Sequence, residues 1–123
     1  MGRKRILIVE DEEVARNLYR RLLARLPALF DMVTTLKEAR NQLAGAENYD
    51  VLVTDMRLPD GRGSDVAEEF RRKNPKGRIL IITGSPESYS SSKLGDIVPG
   101  AEWLFKPFEI DDFTKTLERL LSK

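Results

Sequence analysis

Two unbroken runs of aliphatic residues, Ile6-Leu7-Ile8-Val9 and Ile79-Leu80-Ile81-Ile82, constrain this chain more than any other feature. A strand with one wet face alternates apolar and polar residues. A continuous apolar run of strand length is buried on both faces, as in parallel sheets covered by helices. A third run, Val51-Leu52-Val53-Thr54-Asp55, follows the same rule until its last residue.

The stretches between these runs have a helical period. From about Glu12, the residues Val14, Leu18, Leu22 and Leu26 form one stripe, with Arg16, Arg20, Arg21 and Arg25 toward solvent, and Pro27 stops the helix. A weak strand is expected over residues 31–34. Thr35 and Glu38 then read as a capping box for a second helix reaching about Leu43. Ser64 or Asp65 is the expected cap of a third helix, with Val66, Ala67 and Phe70 inward. The turn Asn74-Pro75-Lys76-Gly77 leads into a strand over residues 78–83. Residues 101–105 read as a last strand, and Ile110, Phe113, Leu117, Leu120 and Leu121 line a final helix. Residues 84–100, rich in serine, proline and glycine, read either as a loop or as a short helix over residues 88–94. Alternating β and α segments at this spacing imply an α/β fold, a parallel sheet with helices on both faces.

A length of 123 residues suits one domain, and the expected boundaries are residues 1–123. The net charge of +1 names no partner. Cysteine and histidine are both absent, which excludes disulfides, thiolate or imidazole metal sites and the Ser-His-Asp triad. Carboxylates, hydroxyls, lysine and backbone remain as chemical groups. No apolar run approaches the roughly 20 residues of a membrane helix. The basic start, Met1-Gly2-Arg3-Lys4-Arg5, precedes only four apolar residues and then acids, so no signal peptide is expected and the expected setting is cytoplasmic.

The strand ends carry the chemistry. Glu10 and Asp11 close the first run, whose strand is expected over residues 5–10, Asp55 closes the third, and Lys106 follows the last strand between Phe105 and Pro107. In neighbouring parallel strands these ends share one edge, where open α/β sheets bind ligands. Each residue has a plainer reading. Glu10 and Asp11 also suit a helix start, Asp55 a loop cap, Thr83 a turn, and Lys106 a snorkelling side chain. Together, three acids suit a hard divalent cation, and a lysine suits a phosphoryl group. With a cation between the acids, Asp55 has the chemistry of a nucleophile toward phosphorus.

The segments Ile6-Leu7-Ile8-Val9-Glu10-Asp11-Glu12, Val53-Thr54-Asp55-Met56-Arg57-Leu58-Pro59-Asp60-Gly61, Ile81-Ile82-Thr83-Gly84 and Phe105-Lys106-Pro107-Phe108 resemble the receiver domain of two-component response regulators. The resemblance covers nearly the whole chain, in order. It implies a flavodoxin-like (βα)5 three-layer sandwich with a five-stranded parallel sheet of order 2-1-3-4-5. It implies that Asp55 accepts a phosphoryl group from a histidine of a sensor kinase or phosphotransfer protein. Glu10, Asp11, Asp55 and the backbone carbonyl of Arg57 match the Mg²⁺ ligands. Thr83, Gly84 and Lys106 match the phosphate-binding positions, and a cis peptide before Pro107 is implied. Thr83 and Trp103 match the switch pair, with tryptophan bulkier than the usual tyrosine or phenylalanine. Gly84 stands where alanine is frequent. The output partner is left unnamed, and a monomer or weak phosphorylation-dependent dimer is expected. Such a domain assists its own phosphorylation and dephosphorylation and is not a turnover enzyme.

Three rivals share parts of this pattern. A haloacid-dehalogenase-like phosphatase needs D-x-D, and Arg57 occupies the second acidic position. A flavodoxin needs a phosphate-binding first loop, which Glu10-Asp11-Glu12-Glu13 opposes. A pseudo-receiver would use the same fold as a phosphorylation-independent interaction module; the set Glu10, Asp11, Asp55, Thr83 and Lys106 argues against it. Direct nucleic-acid binding is not expected, because most arginines alternate with acids as on a solvated helix face.

Overall fold

The computed structural model describes residues 3–84 and 97–122. The main elements are β1 (Lys4–Val9), α1 (Glu13–Leu23), β2 (Ala28–Val33), α2 (Leu36–Ala44), β3 (Val51–Asp55), α3 (Gly63–Lys73), β4 (Arg78–Thr83), β5 (Glu102–Phe105) and α4 (Ile110–Leu121). The five strands form one parallel sheet of order β2-β1-β3-β4-β5. A two-stranded antiparallel ribbon, Arg57–Leu58 with Gly61–Arg62, lies between β3 and α3.

The unbroken apolar runs are explained by the two cores. Successive strand side chains point to opposite faces. On one face Leu7, Val9, Leu52, Ile79 and Ile81 pack with residues of α2 and α3, including Leu36, Leu43, Val66 and Phe70. On the other, Ile6, Ile8, Val51, Val53, Leu80 and Ile82 pack with Tyr19, Leu22 and Leu23 of α1 and Phe113, Leu117 and Leu120 of α4. Each such side chain contributes roughly 1.5–3 kcal/mol on burial. A polar substitution at any of them would strike one core or the other. Tyr19 stacks on Phe113 with ring centroids 4.7 Å apart, tying α1 to α4 across the second core.

Several local expectations are corrected. The second strand begins at Ala28, directly after Pro27, because Ala28–Val33 pairs with the whole of β1. β1 itself ends at Val9, so Glu10 lies just past the strand. Helix α1 ends at Leu23, before Pro27. Its inward stripe is Tyr19, Leu22 and Leu23, whereas Val14 is 82% exposed. Thr35 caps α2 by accepting from the Glu38 amide at 3.1 Å, and Glu38 reaches back chiefly to the amide and hydroxyl of Thr34, with the Thr35 amide a lesser partner. Neither Ser64 nor Asp65 caps α3; that helix starts at Gly63, with Arg62 in the cap position. Ile110 faces solvent rather than the core. The helix expected over residues 88–94 lies outside the described residues. No described helix is long and apolar enough to cross a membrane.

Candidate functional site

Register brings the acids together. β1 and β3 are neighbours, with Val9 opposite Thr54, so the residues that follow, Glu10 and Asp55, meet at the carboxyl edge. One carboxylate oxygen each from Glu10, Asp11 and Asp55 lies within 4.8 Å of the others. Glu10 is buried to 1% exposure and Asp55 to 9%, while Asp11 is exposed. Lys106 reaches in from the end of β5, its Nζ 3.4 Å from Glu10 Oε1, 3.4 Å from Asp55 Oδ2 and 3.6 Å from Glu12 Oε1. The Lys106–Pro107 peptide is cis. Asp11, Asp55, Arg57, Gly84 and Lys106 line a cavity of about 270 Å³ that opens at this edge.

The electrostatics follow from burial. Loss of water pushes the Glu10 carboxyl up to about 7; the Glu12 amide and Lys106 act against that rise, and Asp55 adds to it. Desolvation also raises Asp55, with Lys106 opposing and Asp11 reinforcing. Lys106 is shifted the other way from what burial alone would do: desolvation lowers it, but Glu10, Asp55 and Glu12 together raise it, so it stays a cation. One ammonium against several converging acids leaves the site short of positive charge. Three hard oxygen donors around a cavity open to solvent fit a divalent cation that keeps part of its hydration shell.

The remaining sequence candidates surround this cluster. Thr83 is buried at the end of β4, and its carbonyl accepts from the Lys106 amide at 2.9 Å. Trp103 is half-buried on β5, opposite Ile81, and packs against the core formed with α2 and α3. Gly84 is exposed, and among the described residues a methyl group there would meet the Lys106 Cβ, at 3.9 Å.

Three residues of the site escaped the sequence reading. Arg16, assigned to solvent, turns back so that its Nη1 donates to the carbonyls of Glu10 (3.2 Å) and Asp11 (2.6 Å), fixing the acidic loop. Nothing in helical periodicity reveals a guanidinium that folds over its own N-terminus. Asp60 accepts from the Leu36 amide at 2.7 Å and the Lys37 amide at 3.0 Å, so the loop after Asp55 caps α2. An Asp-Gly dipeptide by itself signals a turn and not a cap on a distant helix. Gly63 is required by close approach: a Cβ would stand 2.1 Å from the Asp55 carbonyl oxygen. Its own amide donates to the Met56 carbonyl at 2.8 Å, closing the loop.

The model of the response regulator receiver domain matches residues 6–118, so this chain belongs to that family. It is 39% identical over 83 residues to the response regulator protein PilR of Pseudomonas aeruginosa, covering 68% of this chain and 18% of that protein. It is 30% identical over 112 residues to the photosynthetic apparatus regulatory protein RegA of Rhodovulum sulfidophilum, covering 91% of this chain and 60% of that one. Among solved structures, the non-phosphorylated HemR receiver domain of Leptospira biflexa matches with a TM-score of 0.83 at 33% identity, covering 98% and 95% of the two chains. A response regulator receiver protein of Sinorhizobium medicae shares the fold with a TM-score of 0.86 at 24% identity, covering 98% and 96%. The chain thus spans 18% and 60% of the two curated relatives' lengths.

Proposed function

We propose that this chain is a phosphoacceptor switch in which Asp55 takes a phosphoryl group from the phosphohistidine of a sensor kinase or phosphotransfer protein. The observation that carries this reading is the convergence of Glu10, Asp11 and Asp55 within 4.8 Å, with the Lys106 ammonium 3.4 Å from Asp55. An Asp55 carboxylate oxygen attacks phosphorus. The new P–O bond forms as the P–N bond to the donor imidazole breaks, and the imidazole leaves with the electron pair. Glu10, Asp11, Asp55 and the Arg57 carbonyl are the groups that would hold Mg²⁺, which neutralises charge on the transferring phosphoryl oxygens when bound. Lys106 lies where it can pair with a phosphoryl oxygen as a point charge. The Thr83 hydroxyl is a donor to another, and its movement would free space for Trp103. The chain handles its own aspartyl phosphate and turns over no external substrate. A cytoplasmic setting fits a kinase donor.

Intact-mass measurement with acetyl phosphate and Mg²⁺ tests the assignment. One added phosphate is expected in the wild type and none in Asp55→Asn. Equal labelling of both proteins would sink it and return the chain to the pseudo-receiver reading.

A further inference from the structure

A cleft more spacious than the one at the acidic edge lies elsewhere. It holds about 620 Å³ and lies at the opposite, amino-terminal edge of the sheet. Its walls come from the starts of β1 and β4 and from the turn that joins α3 to β4. Four cationic side chains line it, Lys4, Arg71, Lys76 and Arg78, against one carboxylate, Asp50. That acid is already engaged: Asp50 Oδ2 accepts from the Arg5 amide at 2.9 Å. Arg71 is held in place by its Nη1 bond to the Pro99 carbonyl at 2.8 Å. The side chains of Lys76 and Arg78 have no hydrogen bond or ion pair among the described residues.

A chain whose net charge is only +1 has thus gathered a cationic excess around one concavity. Clefts walled by one sign of charge focus the field and concentrate counter-ions. The volume is that of a site for an organic ligand rather than for a lone phosphate ion. Exposed Pro75 lines the cleft among the cations, and Leu120 borders it with only 4% exposure. Several cations with a proline ring among them suit a molecule that joins a polyphosphate to a flat ring. We propose that this cleft binds a nucleoside di- or triphosphate, with Lys76 and Arg78 on the phosphates. The strands that separate it from Asp55 are five or six residues long, about 17–20 Å at ~3.3 Å per residue. Binding there leaves the acidic edge free.

The test is calorimetric titration of the chain with ATP in EDTA at low salt, where the metal-free acidic edge repels the probe. Saturable one-to-one binding is expected. Lys76→Glu and Arg78→Glu should each weaken it by about tenfold or more, because reversing a charge removes an attraction and adds a repulsion. Lys115→Glu, an exposed change on α4, should leave it unchanged. Circular dichroism checks that the variants fold, and Lys76 sits in an exposed turn where folding tolerates the change. Absence of binding overturns the proposal, as does equal binding by the two cleft variants. Displacement of ATP by an equal concentration of inorganic phosphate would reduce the cleft to a simple counter-ion site. Tighter capture of a short DNA duplex than of ATP would make it a nucleic-acid surface instead.

Discussion

Replacing Glu10 by glutamine probes the electrostatic cost of the acidic edge. The folded chain holds the Glu10 carboxyl at about 7, against 4.5 for the free side chain. The native state therefore binds this proton more tightly than the unfolded state. Stability from this group is fully present below pH 4.5 and is lost as pH rises to about 7. The gap of 7 − 4.5 = 2.5 units, at about 1.36 kcal/mol per unit, amounts to roughly 3 kcal/mol. For a chain of 123 residues that is roughly 12 °C in melting temperature. Glutamine keeps the shape of the protonated acid and cannot ionise. In EDTA, chemical denaturation across pH 4.5 to about 8 should show the wild type losing roughly 3 kcal/mol relative to Glu10→Gln. Saturating Mg²⁺ should remove most of that swing in the wild type, because a cation replaces the proton as the partner of the converging oxygens. Parallel pH curves for the two proteins in EDTA would refute the argument, since Glu10 would then be no more protonated folded than unfolded.

The other predictions concern ligands and coupling. Asp11→Ala should weaken Mg²⁺ binding on the order of tenfold or more, read by calorimetry, because an oxygen ligand and a charge leave together. Lys106→Ala should fold and still accept phosphate at Asp55, but the roughly 1–3 kcal/mol of coupling to the Thr83–Trp103 region should vanish. Nuclear magnetic resonance shifts with beryllofluoride as the phosphoryl mimic would then stay confined to the Asp55 loop, and changes persisting at Trp103 would refute this. Asp60→Ala should speed hydrogen exchange at the Leu36 and Lys37 amides, which lose their acceptor, while Glu38 keeps its own acceptor on Thr35.

The sheet was legible because its signal is redundant. Ile6–Val9 and Ile79–Ile82 demand cover on both faces, and only helices on each side supply it. The order of strands, and with it the meeting of Glu10 and Asp55, came from resemblance; periodicity alone does not rank strands. Helix ends were read less well, since caps depend on side-chain reach. Glu38 had Thr34 and Thr35 within range, and the hydroxyl of Thr34 offered a second bond. Val14 illustrates the limit of a stripe drawn by spacing. It sits in the first turn of α1, where no neighbouring element covers it, so the apolar period continues past the core's edge. Three charges of the basic cleft, Arg71, Lys76 and Arg78, lie within one short stretch, but they read as a helix end and a turn, and only the fold brings Lys4 and Asp50 beside them.

The way α2 is held has one more consequence. Asp60 binds its first turn, Arg40 pairs with Glu69 of α3 at 2.8 Å, and the Lys73 ammonium of α3 binds the Leu43 and Gly45 carbonyls at its far end. In all three clasps the holding side chain comes from the chain that follows β3, and the exposed residues 44–48 that lead into it contribute the Gly45 carbonyl as an acceptor. Covalent continuity through that connection is therefore not what positions the helix. A backbone nick between Ala46 and Glu47 would leave α2 seated on α3, so this stretch is a place where the chain can be cut, lengthened or given new ends without disturbing the carboxylates on the other side of the sheet's edge.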